Sequence, residues 1–114
     1  MDKKELFIML GFIKSSKRRL MVLRAIENSI KTPTEIGKEI GDRTIQTSNA
    51  LNALKEKKLV YCLNEDATKG RLYTTTQFGK EIMKEYDRYV NSNELTDQEL
   101  NALEAKFLQG NDKK

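Results

Sequence analysis

Histidine and tryptophan are absent from this chain of 114 residues, and cysteine and proline occur once each. Without histidine there is no imidazole for a catalytic triad, for proton transfer near neutral pH or for a metal site. The single cysteine, Cys62, excludes an internal disulfide and any cysteine-cluster zinc site. Clustered acids and glycine-rich phosphate loops are lacking too. No catalytic residue, metal or cofactor is therefore expected, and the composition argues against an enzyme. Cys62 lies in a strand-like stretch, where a small buried hydrophobe is a simpler reading than a redox-sensing thiol. Long hydrophobic runs are missing as well. Residues 6–13 are mostly apolar but too short to cross a bilayer, and Lys14, Lys17, Arg18 and Arg19 follow without a small-residue cleavage site. The run is expected to be a packed helix, buried between other elements, in a cytoplasmic protein with no membrane partner.

Charged residues of both signs make up 33% of the chain and apolar residues 38%, which marks a folded domain with a modest core. The net charge of +4 is unevenly spread. Residues 1–31 hold eight Lys or Arg against three Asp or Glu, residues 32–91 ten against nine, and residues 92–114 three against five. The N-terminal third is thus the basic part. Such asymmetry suits a polyanionic partner, although a solvated basic surface reads the same way.

Periodicity and turn residues divide the chain into short elements. A helix is expected over residues 3–13, and a second over 17–28 with Ser15 or Ser16 as its N-cap and Leu20, Leu23, Ile26 and Ile30 facing inward. Thr32, Pro33 and Glu35 form a strong helix start: a capping threonine, a proline in the first turn and a glutamate closing a capping box. Gly41 ends that helix, and residues 41–44 read as a tight turn. The next helix, over 45–57, buries Thr47, Ala50, Leu51 and Leu54. The period then changes. Residues 59–63 and 71–76 are rich in β-branched and aromatic residues and flank a polar segment ending in Gly70, which predicts a hairpin with a long tip. An amphipathic helix over 77–90 carries Phe78, Ile82, Tyr86 and Tyr89, the tyrosines being core or dimer contacts. A last helix starts at Thr96, with Leu100, Leu103 and Phe107 on one side. The domain is expected to span 1–91, with 92–114 an accessory helix, a dimerisation element and a charged tail.

Short helix, glycine turn, second helix and polar-tipped hairpin, in that order, make a helix-turn-helix with a wing. The spacing agrees: Gly37 where the second helix crosses closely, Gly41 four positions on for the left-handed turn, and buried Thr47 six further. Alanine at 37 would meet the same steric need at lower cost in helix propensity. The hydroxyl of Thr47 needs a partner, such as a carbonyl of the preceding turn. The fold class is accordingly α+β, a winged helix-turn-helix with a two-stranded wing and extra N- and C-terminal helices.

The stretches TPTEIGKEIG and SNALNALKEKKLVYCLNEDATKGRLYTTTQFGKEI resemble the archaeal winged-helix transcriptional regulators of the broad ArsR/MarR group. The resemblance covers about residues 12–84 and is most specific over LVYCLN, KGRLY and GKE. It implies a regulator of transcription that is dimeric or DNA-associated. Asn49 stands where relatives tend to carry arginine, so their base preference does not transfer.

In such a motif the start of the second helix enters the major groove. Arg43, Thr44, Gln46, Ser48, Asn49 and Asn52 are the expected base-reading residues. Singly, Gln46, Asn49 and Asn52 read more simply as a solvated helix face; their place in the motif reverses this and favours base reading. Lys69 and Arg71 beside Gly70 are assigned to phosphate or minor-groove contacts, with edge protection of the strands as the plainer alternative. Lys14, Ser16, Lys17 and Arg18 at a helix start form a phosphate site, with Thr34 and Thr32 as neighbours. The partners expected are double-stranded DNA and a second copy of the chain. A winged helix used for protein–protein contact within a larger assembly is the alternative.

Overall fold

A computed structural model of the chain describes residues 2–91, which hold five helices and two strands. The expected helix within 92–114 lies outside the described residues. Arg18–Lys80 forms one compact unit, and the described residues on either side of it belong to a second. No helix among the described residues is long and apolar enough to cross a membrane.

In the second unit, α1 (Lys3–Lys14) starts at Asp2, whose carboxylate accepts the backbone N–H of Glu5 at 2.8 Å. Its end is closed by Ser15, whose N–H donates to the Gly11 carbonyl at 2.8 Å and whose hydroxyl donates to Phe12 at 3.0 Å. Ser15 therefore terminates α1 instead of opening the next helix, because the free carbonyls behind it capture both of its donors. Leu10 and Ile13 are fully buried, but Leu6, Phe7, Ile8, Met9 and Phe12 are only half-buried, so α1 is less enclosed than its composition suggests. Phe7 meets the Tyr89 ring edge-on, with centroids 5.4 Å apart. Tyr89 lies on α5 (Gln77–Asn91), whose buried residues Ile82, Met83, Tyr86 and Tyr89 follow helical spacing.

The first unit contains α2 (Lys17–Ala25) from Arg18 onward, α3 (Pro33–Ile40), α4 (Thr44–Glu56), β1 (Val60–Cys62) and β2 (Tyr73–Thr75). The strands pair antiparallel with Val60 opposite Thr75, Tyr61 opposite Thr74 and Cys62 opposite Tyr73. Both are shorter than the sequence pattern. After Cys62 the side chain of Asn64 takes the N–H of Leu72 at 2.7 Å, replacing a backbone ladder bond with a side-chain one. Helix α2 is also shorter than expected, and the hairpin is the reason. The Ile26 carbonyl accepts the Thr75 hydroxyl at 3.0 Å, and the Ser29 carbonyl accepts the Thr74 hydroxyl at 2.8 Å. With these carbonyls turned to the hairpin, the helical phase does not continue, and Ile30 ends 52% exposed instead of facing the core. Lys31 then exchanges both backbone bonds with Tyr73, at 3.1 and 2.9 Å, adding a one-residue bridge on the far side of β2.

Val22, Leu23, Ile26, Ile36, Leu51, Leu54, Leu59 and Val60 are buried in this unit. At roughly 1.5–3 kcal/mol for each large aliphatic side chain fully removed from water, they are the main term holding α2, α3, α4 and the hairpin together. The thiol of Cys62 is buried, donating weakly to Asn64 Oδ1 at 3.5 Å. The hydroxyl of Thr76 caps α5 by accepting the N–H of Gly79 at 2.9 Å, while donating to the Lys58 carbonyl at 2.7 Å. The hairpin and the start of α5 are thereby fastened to the end of α4.

Candidate nucleic-acid interface

The capping box of α3 is complete. Thr32 Oγ1 accepts the N–H of Glu35 at 3.2 Å, and Glu35 Oε1 accepts the N–H of Thr32 at 2.8 Å. The backbone N–H of Thr32, and after it the Thr32 hydroxyl, hold the Glu35 carboxyl below its ordinary pKa. At the other end Gly41 is left-handed, with φ 73° and ψ 36°, and its N–H donates to the Gly37 carbonyl. The N–H of Asp42 reaches the same carbonyl at 2.8 Å. Helix α4 then begins after Arg43, whose side chain makes no capping bond and is exposed.

Helix α3 comes close to the turn and to α4 at Gly37. A Cβ at Gly37 would lie 2.9 Å from the Asp42 carbonyl oxygen and 3.2 Å from Thr47 Oγ1. Alanine would therefore not do the same steric job as glycine here, because the nearer obstacle is backbone. Thr47 is fully buried, and its hydroxyl donates to the Arg43 carbonyl at 3.0 Å, the preceding-turn partner that its burial demands.

One ion pair ties the turn to α2. Arg18 Nε donates to Asp42 Oδ2, while Asp42 Oδ1 accepts the N–H of Arg43 at 2.8 Å. The bond from Arg18, and then that from Arg43, hold the Asp42 carboxyl below its ordinary pKa, and the Arg18 guanidinium is raised by the same pairing. Arg18 thus acts as a brace for the turn as well as a surface cation.

Burial splits α4 into two faces. Thr47, Ala50, Leu51 and Leu54 point inward. Thr44, Ile45, Gln46, Asn49 and Asn52 are exposed and Ser48 is half-buried, so the expected base-reading side chains share the outward part of the helix. Ile45 is the residue that sequence reasoning left out. An isoleucine at a helix start reads as a boundary, yet it is 66% exposed among these polar groups.

The wing stands beside this face. Its loop is held by two side chains. Asn64 Nδ2 donates to the Gly70 carbonyl at 3.2 Å, and Gly70 is left-handed at φ 67°. Arg71 Nε donates to the Ala67 carbonyl at 2.8 Å and its Nη2 to the Glu65 carbonyl at 3.0 Å. Lys55 of α4 pairs with the Glu65 carboxylate, which raises the Lys55 pKa. Arg71 therefore spends donors on shaping the wing, whereas Lys69 is exposed near its tip.

Between the start of α3, the face of α4 and the wing runs a groove of about 540 Å³. Thr34, Thr44, Ser48, Asn52, Lys69 and Arg71 are among the residues lining it. The groove therefore joins residues from three of the expected contact regions. Its lining of hydroxyls, an amide and two cations is suited to phosphate oxygens and base edges. Lys14, Ser16 and Lys17 belong to the second unit, where Lys14 closes the last turn of α1 and Lys17 opens α2. Among the described residues no group of His, Cys, Asp or Glu could hold a metal ion.

This arrangement of helices, glycine turn and hairpin is a winged helix-turn-helix. Solved structures share it. The Multiple Antibiotic Resistance Repressor, MarR, aligns with a TM-score of 0.60 and 25% identity, over 92% of this chain and 82% of that one. A double mutant of ZitR from Lactococcus lactis aligns with a TM-score of 0.59 and 18% identity, over 86% of this chain and 73% of that one. A single mutant of ZitR gives a TM-score of 0.56 at the same identity and coverage. No family model and no curated protein matches the sequence. The likeness is thus one of fold, and nothing in it shows an archaeal origin.

Proposed function

We propose that this chain is a transcriptional regulator that binds duplex DNA sequence-specifically as a homodimer. The observation carrying the proposal is the polar outward face of α4 set beside a wing, with one groove lined from α3, α4 and the wing tip. In this reading α4 enters the major groove and Arg43, Thr44, Gln46, Ser48, Asn49 and Asn52 reach base edges. Asn and Gln pair with adenine and Arg with guanine, each good pair discriminating by roughly 1–3 kcal/mol. Thr34 and Lys69 contact phosphates on either side of the inserted helix, and Arg71 serves chiefly by holding the wing in shape. Lys14, Ser16, Lys17 and Arg18 supply further phosphate contacts. MarR is by its name a repressor, which supports a regulatory role for this fold.

The dimer is supported by α1, whose apolar residues Leu6, Phe7, Ile8, Met9 and Phe12 are incompletely covered. A two-fold dimer also presents two reading helices to a palindromic site. Sedimentation at roughly tens of micromolar protein tests it, and a strict monomer there would remove the dimer.

Anisotropy titration against duplex DNA at several salt concentrations tests the main reading. DNA binding predicts a log–log salt slope of several units. Joint replacement of Arg43 and Asn49 by alanine should relax specificity and weaken binding. A flat slope, or unchanged affinity in that double variant, would favour a protein–protein module instead.

A further inference from the structure

The exposed isoleucine on α4 has a position that calls for an occupant. Ile45, Ser48, Asn49 and Asn52 fall at spacings of three, four and seven residues, so they form one stripe along the helix. The opposite stripe, Thr47, Ala50, Leu51 and Leu54, is the buried one. Ile45 is therefore central to the outward face, in the first turn, the part that reaches deepest into a major groove in this class of fold. Its neighbours on that turn, Thr44 and Gln46, are polar and exposed. A β-branched aliphatic side chain contributes little to helix propensity there and, at 66% exposure, little to the core.

Resting on the DNA-binding reading above, we propose that Ile45 is a specificity-determining residue that packs against the C5-methyl group of a thymine. In the major groove that methyl is the apolar feature by which thymine differs from cytosine and from uracil. The polar neighbours can bond acceptors and donors on adjacent base edges but gain nothing from a methyl group. Ile45 does the reverse: it cannot pair with a polar edge, and burying one against it leaves that edge without a partner. The chain is thus set to prefer a site with thymine where Ile45 lands, flanked by bases read through hydrogen bonds.

The test begins with duplexes selected by the full chain from a randomised pool. Thymines in a selected duplex are then replaced one at a time by deoxyuridine, which removes the methyl and leaves base pairing intact. For the wild type, one thymine per half-site should show an affinity loss of about fourfold, the worth of one buried methyl. Ile45→Ala should bind the thymine duplex more weakly and lose its sensitivity to deoxyuridine at that position alone. Gln46→Ala should keep that sensitivity. Because Ile45 is exposed, its replacement spares the core, and thermal melting verifies the fold. Selection of a duplex in which no deoxyuridine matters, or an Ile45→Ala variant with the full deoxyuridine penalty, overturns the proposal while leaving DNA binding intact. An Ile45→Ala variant that binds DNA normally but self-associates less overturns it too, and assigns the side chain to a second copy. Failure to retain any duplex would remove the underlying reading itself.

Discussion

Arg71 donates through Nε to the carbonyl of Ala67 at 2.8 Å, so a cation at the wing is fastened into the wing's own loop. A second bond, from Nη2 to the Glu65 carbonyl at 3.0 Å, fixes the plane of the guanidinium. Lysine carries the same charge but cannot fork to two carbonyls. Arg71→Lys should therefore loosen the wing and weaken DNA binding while leaving the salt slope nearly unchanged. Lys69→Ala should do the opposite and lower the slope by about one unit, since it removes a phosphate contact without disturbing the loop. Salt titrations of both variants check this. Equal slope changes would show that the two residues serve as interchangeable phosphate cations.

Three glycines should respond to alanine in a definite order. At Gly79 an added Cβ would lie 2.2 Å from the Leu59 carbonyl oxygen and 2.6 Å from Thr75 Cγ2, so the start of α5 must move off the hairpin. A loss of about 3 kcal/mol or more is expected, at the upper end for overpacking. At Gly37 the obstacle is the Asp42 carbonyl oxygen at 2.9 Å, and better helix propensity offsets part of the clash, leaving a loss of about 1–2 kcal/mol. At Gly41 space is open and the cost is the left-handed backbone at φ 73°, about 1 kcal/mol. Chemical denaturation of the three variants measures the order. A Gly37→Ala variant as stable as wild type would mean that the α3–α4 crossing can open without penalty.

These positions also show what sequence reasoning reaches. Gly41 and the Thr32–Glu35 capping box are legible because their bonds close within four residues, where spacing alone dictates geometry. The inward stripe of α4 is legible for the same reason, and the polar stripe follows as its complement. What escapes is decided by distant partners. The Ile26 carbonyl turns to Thr75, ending α2 early and leaving Ile30 exposed. Lys31 bridges to Tyr73, a residue separated from it by two helices and a strand. Arg71 looks like a free surface cation until the loop it closes is seen, and Ile45 looks like a plain helix start until the helix face is known. Local propensity carries no record of such contacts.

Lys58 is the one non-glycine residue with positive φ among the described residues, at 62°. It follows α4 in the left-handed position of a helix ending, where the N–H of Leu59 returns to the Leu54 carbonyl at 3.0 Å. A Cβ in that conformation costs roughly 1 kcal/mol, which glycine avoids at some expense in unfolded-chain entropy. Lys58→Gly should raise stability by about 0.5–1 kcal/mol, read from the denaturation midpoint at unchanged m-value. A destabilised variant would show that the lysine side chain contributes more than its backbone conformation costs.

The Arg18–Asp42 pair makes stability depend on pH in a particular direction. The folded chain holds the Asp42 carboxyl below the ordinary value of 3.8, through the bond from Arg18 and the N–H of Arg43. The folded state thus binds the proton less readily than the unfolded one. The pair's contribution is complete above 3.8 and disappears as pH falls through the lower, folded value. Asp42→Asn keeps an acceptor for the Arg43 N–H but removes the charge facing Arg18. Its melting temperature should lie below wild type near neutral pH, and the gap should close as the solution is taken well below 3.8. Because both side chains are partly exposed, roughly 1 M salt should narrow the gap at neutral pH as well. Melting curves of the two proteins across that pH range decide the matter. A gap that persists at the acidic end would assign the effect to the geometry of the turn and not to the charge pair.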